Sequence, residues 1–164
     1  MSESDEHSFA VTFTCDAVNE AKMRTDMVVR MIEPETAEFA LATDEGGLHG
    51  GAGTAPTPLM LFAGGLTACL MTQLRAFLRR LDVEVGRIAL STRLEWRARQ
   101  QGRAPYVSEP VGFAIDIEIE SDAPVAEQKR LIEAAKKGCF VEQTLMRPNT
   151  IAHRLKTAEG WRDV

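Results

Sequence analysis

Cysteine is scarce in this sequence: three in 164 residues, at positions 15, 69 and 139, with one tyrosine and two tryptophans beside them. An odd, widely spaced set without a secretion signal does not build a structural disulfide framework, so any disulfide here is expected to be transient and chemical. CxxC, HExxH, nucleophile-elbow and Walker patterns are all missing, which removes the common dithiol-motif, zinc-protease, serine-hydrolase and nucleotide-binding chemistries. His7, His49 and His153 have no ligand spacing with the cysteines, so neither a metal nor another cofactor is expected. A basic field is missing too. The net charge is −5, with 19 Lys/Arg scattered among 24 Asp/Glu, which leaves nothing to hold a phosphate backbone; nucleic acid is not an expected partner.

The N-terminal run Met1-Ser2-Glu3-Ser4-Asp5-Glu6 is acidic, where a signal peptide would start basic and continue apolar. Residues 1–7 are therefore expected to be frayed and the protein cytoplasmic. The longest near-continuous apolar stretch, Leu59 to Met71, is interrupted by Gly64, Gly65 and Thr67 and is shorter than the roughly 20 residues of a membrane span. It is expected to be a buried helix and no membrane anchor. At 164 residues and 45% apolar, the chain is sized for one domain, 1–164, with its own core.

Period-two alternation predicts a strand over residues 8–16, with Phe9, Val11, Phe13 and Cys15 on the apolar face, a second through Met23 to Met31, and a third carrying Ala37, Phe39 and Leu41. The glycine-rich segment from Asp44 to Pro58 predicts a loop; its run His49-Gly50-Gly51-Ala52-Gly53 lacks the spacing of a phosphate-binding turn. Pro58 suits the first turn of a long helix. The first half of that helix is apolar nearly all round, so other elements or a second subunit should enclose it. Gly64 and Gly65 each weaken an isolated helix by about 1 kcal/mol, which points to close approach of another backbone.

Two long strands follow, through Ile88–Ala98 and Val111–Ile119, with basic and acidic outer rows that predict their pairing. Asp122 is placed to cap a helix from about Ala123 to Lys137 that Gly138 ends. A short helix from about Cys139 and a last strand or tail with Ile151, His153 and Leu155 complete the chain. Strands, long helix, strands, helix pair: the order predicts an α+β fold of antiparallel sheets around a long central helix.

On residue type and position alone, Cys15 reads as a small core hydrophobe. Cys69 also sits among apolar neighbours, where burial would raise its pKa unless a cation compensates. Cys139 stands at the start of a helix with Lys136 and Lys137 close in sequence, an arrangement that favours the thiolate; filling a gap between two helices is the other reading.

These residues carry a resemblance. Asp44-Glu45-Gly46-Gly47-Leu48-His49-Gly50-Gly51, then Ala55-Pro56-Thr57-Pro58, then a helix with a cysteine eleven residues past that proline, resembles the OsmC/Ohr family, whose central helix bears a peroxidatic cysteine. Lys137-Gly138-Cys139-Phe140-Val141-Glu142-Gln143-Thr144-Leu145 is similar to the segment that supplies the family's resolving cysteine. Residues 8 to 156 are covered. The resemblance implies an intertwined homodimer with active sites at the subunit interface. It implies that Cys69 attacks an organic hydroperoxide, that Cys139 captures the resulting sulfenic acid, and that an external dithiol reduces the disulfide. It also implies an arginine beside the peroxidatic sulfur, best matched by Arg30, with Arg24 as substitute. Phe62, Leu66, Leu70 and Met71 would line the apolar substrate pocket.

Two departures stand out. Leu59 and Met60 occupy the positions where the family commonly carries the glutamate that holds the arginine, and Phe140 replaces a proline. The alternative they leave open is a noncatalytic OsmC-like dimer that binds an apolar small molecule at the subunit interface.

Overall fold

The structure, a computed structural model, describes residues 7–164; the frayed terminus expected over residues 1–7 lies outside the described residues except for His7, which is exposed. The chain is α+β, as its patterning predicts, and it forms two compact units, one ending at Phe62 and one running from Ala63 to Val164.

The first unit holds an antiparallel meander of β1 (Thr12–Val18), β2 (Thr25–Glu33) and β3 (Ala37–Thr43). The first strand starts four residues later than alternation alone predicts. Its register sets Cys15 opposite Val29, and Val29 opposite Phe39, with Phe13 against Met31 and Met27 against Leu41. One face of the sheet is therefore apolar, while Thr14, Arg30 and Glu38 share the other. The apolar face is open in this unit: Phe13, Phe39 and Leu41 on it are exposed. Cys15 is exposed with them, which corrects its reading as a core residue. Period two fixed its face correctly, but a strand's pattern cannot say whether anything packs on that face.

After β3 the chain turns on Asp44, which is only 2% exposed. Its carboxylate accepts four hydrogen bonds: Oδ1 from Glu45 N (2.9 Å), and Oδ2 from Thr54 N (3.0 Å), Thr54 Oγ1 (2.9 Å) and Ala52 N (3.3 Å). These donors hold the carboxyl below its ordinary pKa, the Thr54 backbone and hydroxyl contributing most. The wrapped loop includes a 3-10 turn, Gly47–His49, and Gly50 and Gly53 at φ values of 80° and 65°, where side chains are disfavoured. It delivers the chain to α1 (Pro58–Leu81).

In the second unit, α1 meets β4 (Ile88–Arg99), β5 (Val107–Ile119), α2 (Val125–Gly138) and α3 (Phe140–Leu145); a terminal hairpin, β6 (Arg154–Thr157) and β7 (Gly160–Asp163), stands where one strand or a tail was expected. β4 and β5 pair antiparallel over their whole length, Ile88 opposite Ile119 and Leu90 opposite Ile117. The predicted charge pairing is present but sparse, at Arg99–Glu109 (2.7 Å) and Arg87–Glu118 (3.9 Å). Exposed pairs of this kind add only a few tenths of a kcal/mol, so the Ile and Leu rows dominate the pairing.

Two stripes with a spacing of four make the core: Leu66, Leu70 and Leu74 on α1, and Leu131, Ala135 and Cys139 along and just past α2, all buried. All but Leu66 close on Ile88 in one cluster. The remainder of α1 is less enclosed than its composition predicts: Leu59, Met60 and Leu61 are exposed, as are Ala68 and Thr72. A Cβ at Gly64 or Gly65 would meet nothing within 4 Å, so no backbone of the same chain approaches them. By length and hydropathy this helix could cross a membrane; its leucine stripe instead fills the core, and Arg75, Arg79 and Arg80 occupy its last two turns.

α2 starts later than predicted and Asp122 does not cap it. Pro124 is the N-cap, its carbonyl accepting from Glu127 N (2.9 Å), and Ser121 Oγ takes the preceding Ala123 N–H at 3.1 Å. Gly138 is the last residue of α2, where the helix was expected to end. A Cβ there would sit 2.7 Å from the Phe77 ring, so the glycine is what lets α1 and α2 approach at the cysteine level.

Candidate active site

Cys139 ends the α2 stripe and is fully buried; Cys69, one residue before Leu70, is partly buried against the same core cluster. Cys69 thus packs against the cluster that holds Cys139, near enough for each thiol to feel the other's charge. Helical period explains the meeting. Leu70 and Ala135 anchor the two stripes, and the next buried position beyond Ala135 is four residues on, at Cys139.

Cys139 is also the N-cap of α3: its Sγ accepts from Glu142 N at 3.5 Å, and its carbonyl accepts from Gln143 N at 2.9 Å. The thiolate preference expected from that position does not result. Burial pushes the Cys139 thiol up to about 11; the Glu142 N–H opposes this, and Cys69 beside it adds to it. The lysines expected to help are turned elsewhere, Lys136 Nζ holding Glu133 Oε1 at 2.8 Å and Lys137 exposed. Cys139 is thus a buried, protonated thiol at neutral pH. Alkylation of the native protein should modify it at a rate that climbs about tenfold per pH unit between pH 8 and 10, followed by peptide mass after iodoacetamide quench. A rate already flat by pH 8 would contradict the burial effect.

The two candidate arginines, Arg30 and Arg24, lie in the first unit. Arg30 is clamped on the polar face of the sheet, Nε to Glu38 Oε2 and a terminal nitrogen to Asp16 Oδ2, both at 2.6 Å. Two carboxylates offset its charge locally. Arg24 pairs with Asp26 at 2.7 Å and donates to Thr54 Oγ1 at 3.0 Å, which itself donates to Asp44. Arg24 is therefore tied to the loop that enters α1, a link that sequence spacing did not reveal.

Among the predicted pocket residues, Leu66 and Leu70 are buried core side chains, Met71 packs against the same cluster and Phe62 is half-buried at the end of the first unit. A cleft of about 930 Å³ in the second unit is lined by Val83, Glu84, Gly86, Glu120 and Asp122 among others, and includes none of the predicted site residues. Among the described residues, no three His, Cys, Asp or Glu side chains converge as metal ligands would. Sequence reasoning missed Glu142. Its Oε2 is buried with no hydrogen-bond partner, and burial raises its pKa. The only signal was its place three residues after Cys139, the spacing of a capping box.

A helix-borne cysteine and an N-capping cysteine share one core in an α+β frame, and residues 50–154 match the family model described as OsmC-like protein. The chain belongs to the OsmC family. No curated protein matches the sequence. Among solved structures, it is 47% identical to an OsmC-like hydroperoxide resistance protein from Jannaschia sp. CCS1, covering 94% of this chain and 98% of that one at a TM-score of 0.65. The fold is shared with an organic hydroperoxide resistance protein OsmC from Legionella pneumophila (16% identity, 82% and 88% coverage, TM-score 0.57). It is shared as well with an OsmC-like protein from Mycoplasma pneumoniae (17% identity, 87% and 89% coverage, TM-score 0.58).

Proposed function

We propose that this chain is a thiol-dependent peroxidase that reduces organic hydroperoxides, with Cys69 as the peroxidatic and Cys139 as the resolving cysteine. The observation that carries the reading is that Cys69 packs against the same core cluster that holds Cys139. The 47% identical relative bears the name hydroperoxide resistance protein, which supports the same chemistry. Cys69 as thiolate attacks the distal oxygen of ROOH; the O–O bond breaks, ROH leaves with a proton, and Cys69 becomes a sulfenic acid. Cys139 then attacks that sulfur, the S–O bond breaks, water leaves and the Cys69–Cys139 disulfide forms. An external dithiol, as in a reducing cytoplasm, returns both thiols. Phe62, Leu66, Leu70 and Met71 provide the apolar surroundings that favour an organic over an inorganic peroxide.

An arginine of the three-stranded sheet supplies the cation that Cys69 needs. The family pattern favours Arg30, whose two carboxylate partners stand against it, and Arg24 is the alternative through its bond to the loop entering α1. The protein acts as a homodimer. The open apolar face of β1–β3 and the small-residue flank of α1 at Gly64, Gly65 and Ala68 are surfaces that a second copy would cover. Sedimentation at micromolar concentration should give a dimer; a monomer overturns the assembly.

The reading is tested by following cumene hydroperoxide consumption with a dithiol as reductant, where catalytic turnover is expected and a rate equal to the uncatalysed background overturns it. The second reading, a noncatalytic dimer that binds an apolar ligand, is favoured by the clamped Arg30 and the absent glutamate at Leu59 and Met60. A stoichiometric copurified ligand in a native mass spectrum, with no turnover, would select it.

A further inference from the structure

Disulfide formation has a proton problem. Cys139 must attack the Cys69 sulfenic acid as a thiolate, yet it is fully buried and its proton is held far above neutral pH. A base within the same pocket is required, because water has little access to a fully buried sulfur. Glu142 is the residue placed for it. It lies in the first turn of α3 and its backbone N–H donates to Cys139 Sγ at 3.5 Å, which fixes the carboxyl's Cα three residues from the thiol on one helical turn. Among the described residues, Glu142 Oε2 is the buried side-chain oxygen without a hydrogen-bond partner. In a capping box that carboxylate would reach back to the N-cap backbone; here one of its oxygens is buried and unengaged, and its charge acts on the Cys139 thiol.

We propose that Glu142 accepts the Cys139 proton as the disulfide forms and returns it to the departing hydroxyl. This rests on the peroxidase reading above. In the step, the Cys139 sulfur lone pair forms the S–S bond and the Cys69 S–O bond breaks. The Cys139 proton passes to Glu142 and from there to the leaving oxygen, so that water is released and Glu142 ends in its starting state. Cys69 sulfur is reduced from the sulfenic level and Cys139 sulfur is oxidised by the same electron pair; no other reactant enters. The charged and titratable groups around Glu142 are Cys139 in the cap, with Cys69 of α1 behind it, and Lys136 and Glu133 of α2. Lys136 is bound to Glu133 and lowers the Glu142 carboxyl only in part; burial prevails, leaving it a better base than an exposed carboxylate.

The test separates the two half-reactions in the full-length protein. Rapid-quench mass mapping after one equivalent of cumene hydroperoxide follows sulfenic acid at Cys69, trapped with dimedone, and then the Cys69–Cys139 disulfide. Glu142→Gln should leave sulfenic acid formation unchanged and slow disulfide formation by about 100-fold at pH 7. Its rate should then climb about tenfold per pH unit as hydroxide takes over, where wild type is nearly flat above the carboxyl's pKa. Glu142→Asp, which keeps the carboxyl one methylene short, should be intermediate. Equal rates and equal pH profiles for wild type and Glu142→Gln overturn the relay while leaving the peroxidase intact. Absence of both sulfenic acid and the Cys69–Cys139 disulfide in wild type overturns the peroxidase reading and the relay with it.

Discussion

Cys69→Ser is expected to reduce hydroperoxide turnover by at least about 1,000-fold, to the level of the dithiol alone, because a hydroxyl does not provide the nucleophile for O–O cleavage. Cys139→Ser should fail differently. The first equivalent of peroxide is still consumed at the wild-type rate, since Cys69 remains, but no disulfide can form. Cys69 then gains about 16 Da as sulfenic acid and, with excess peroxide, about 32 Da as sulfinic acid. Both substitutions change buried or half-buried sites by one atom, and Cys139 sits in the core beside Leu131 and Ala135, so thermal unfolding of each variant belongs with the kinetics. Equal single-turnover rates for wild type and Cys69→Ser would remove the peroxidatic role.

The second large effect is on stability. Gly51→Ala would place a Cβ 1.8 Å from the Glu45 carbonyl oxygen and 2.8 Å from Asp44 Oδ1. Backbone, not a flexible side chain, stands in the way, so the loop has to open, at a cost of about 2–4 kcal/mol. Urea unfolding should show this as a lower midpoint at an unchanged slope; a loss below about 0.5 kcal/mol would mean that the loop is not held as described. Asp44→Ala, which removes the acceptor of the same four hydrogen bonds, should also lower Tm. The pH dependence follows from the sign of the shift. The Asp44 carboxyl is held below its ordinary value in the folded protein, so its stabilisation is present above the unfolded-state pKa and lost as pH falls through the folded-state value. Wild type should therefore lose stability toward acid more steeply than Asp44→Ala does.

The elements were legible because their periods are strong. Pro58 to Leu81 carries a buried stripe at every fourth residue, and Ile88–Arg99 with Val107–Ile119 alternates over a dozen residues; both signals survive without tertiary information. The details that failed were those decided by a neighbour. Asp122 has the chemistry of a cap, but Pro124 and Ser121 supply the terminus. Gly138 does end the helix, as it reads, but sequence could not show that it also admits Phe77. The Cys139 position at a helix start suggested a low pKa, and burial reversed it. Arg30 matched a family position, yet sequence could not show that Glu38, eight residues on, and Asp16, fourteen back, would clamp it. Beyond its capping-box spacing, Glu142 gave no sign of its role, since an unpartnered oxygen is a property of packing and not of residue type.

The most direct measurement is intact-mass and peptide mapping of the purified protein after one equivalent of an organic hydroperoxide, without reductant. A rapid loss of about 2 Da, mapped to a disulfide between Cys69 and Cys139, is the expected result. Thiols left unchanged, or slow oxidation spread over Cys15 and the methionines, would contradict the cysteine-pair mechanism and favour the noncatalytic binding protein.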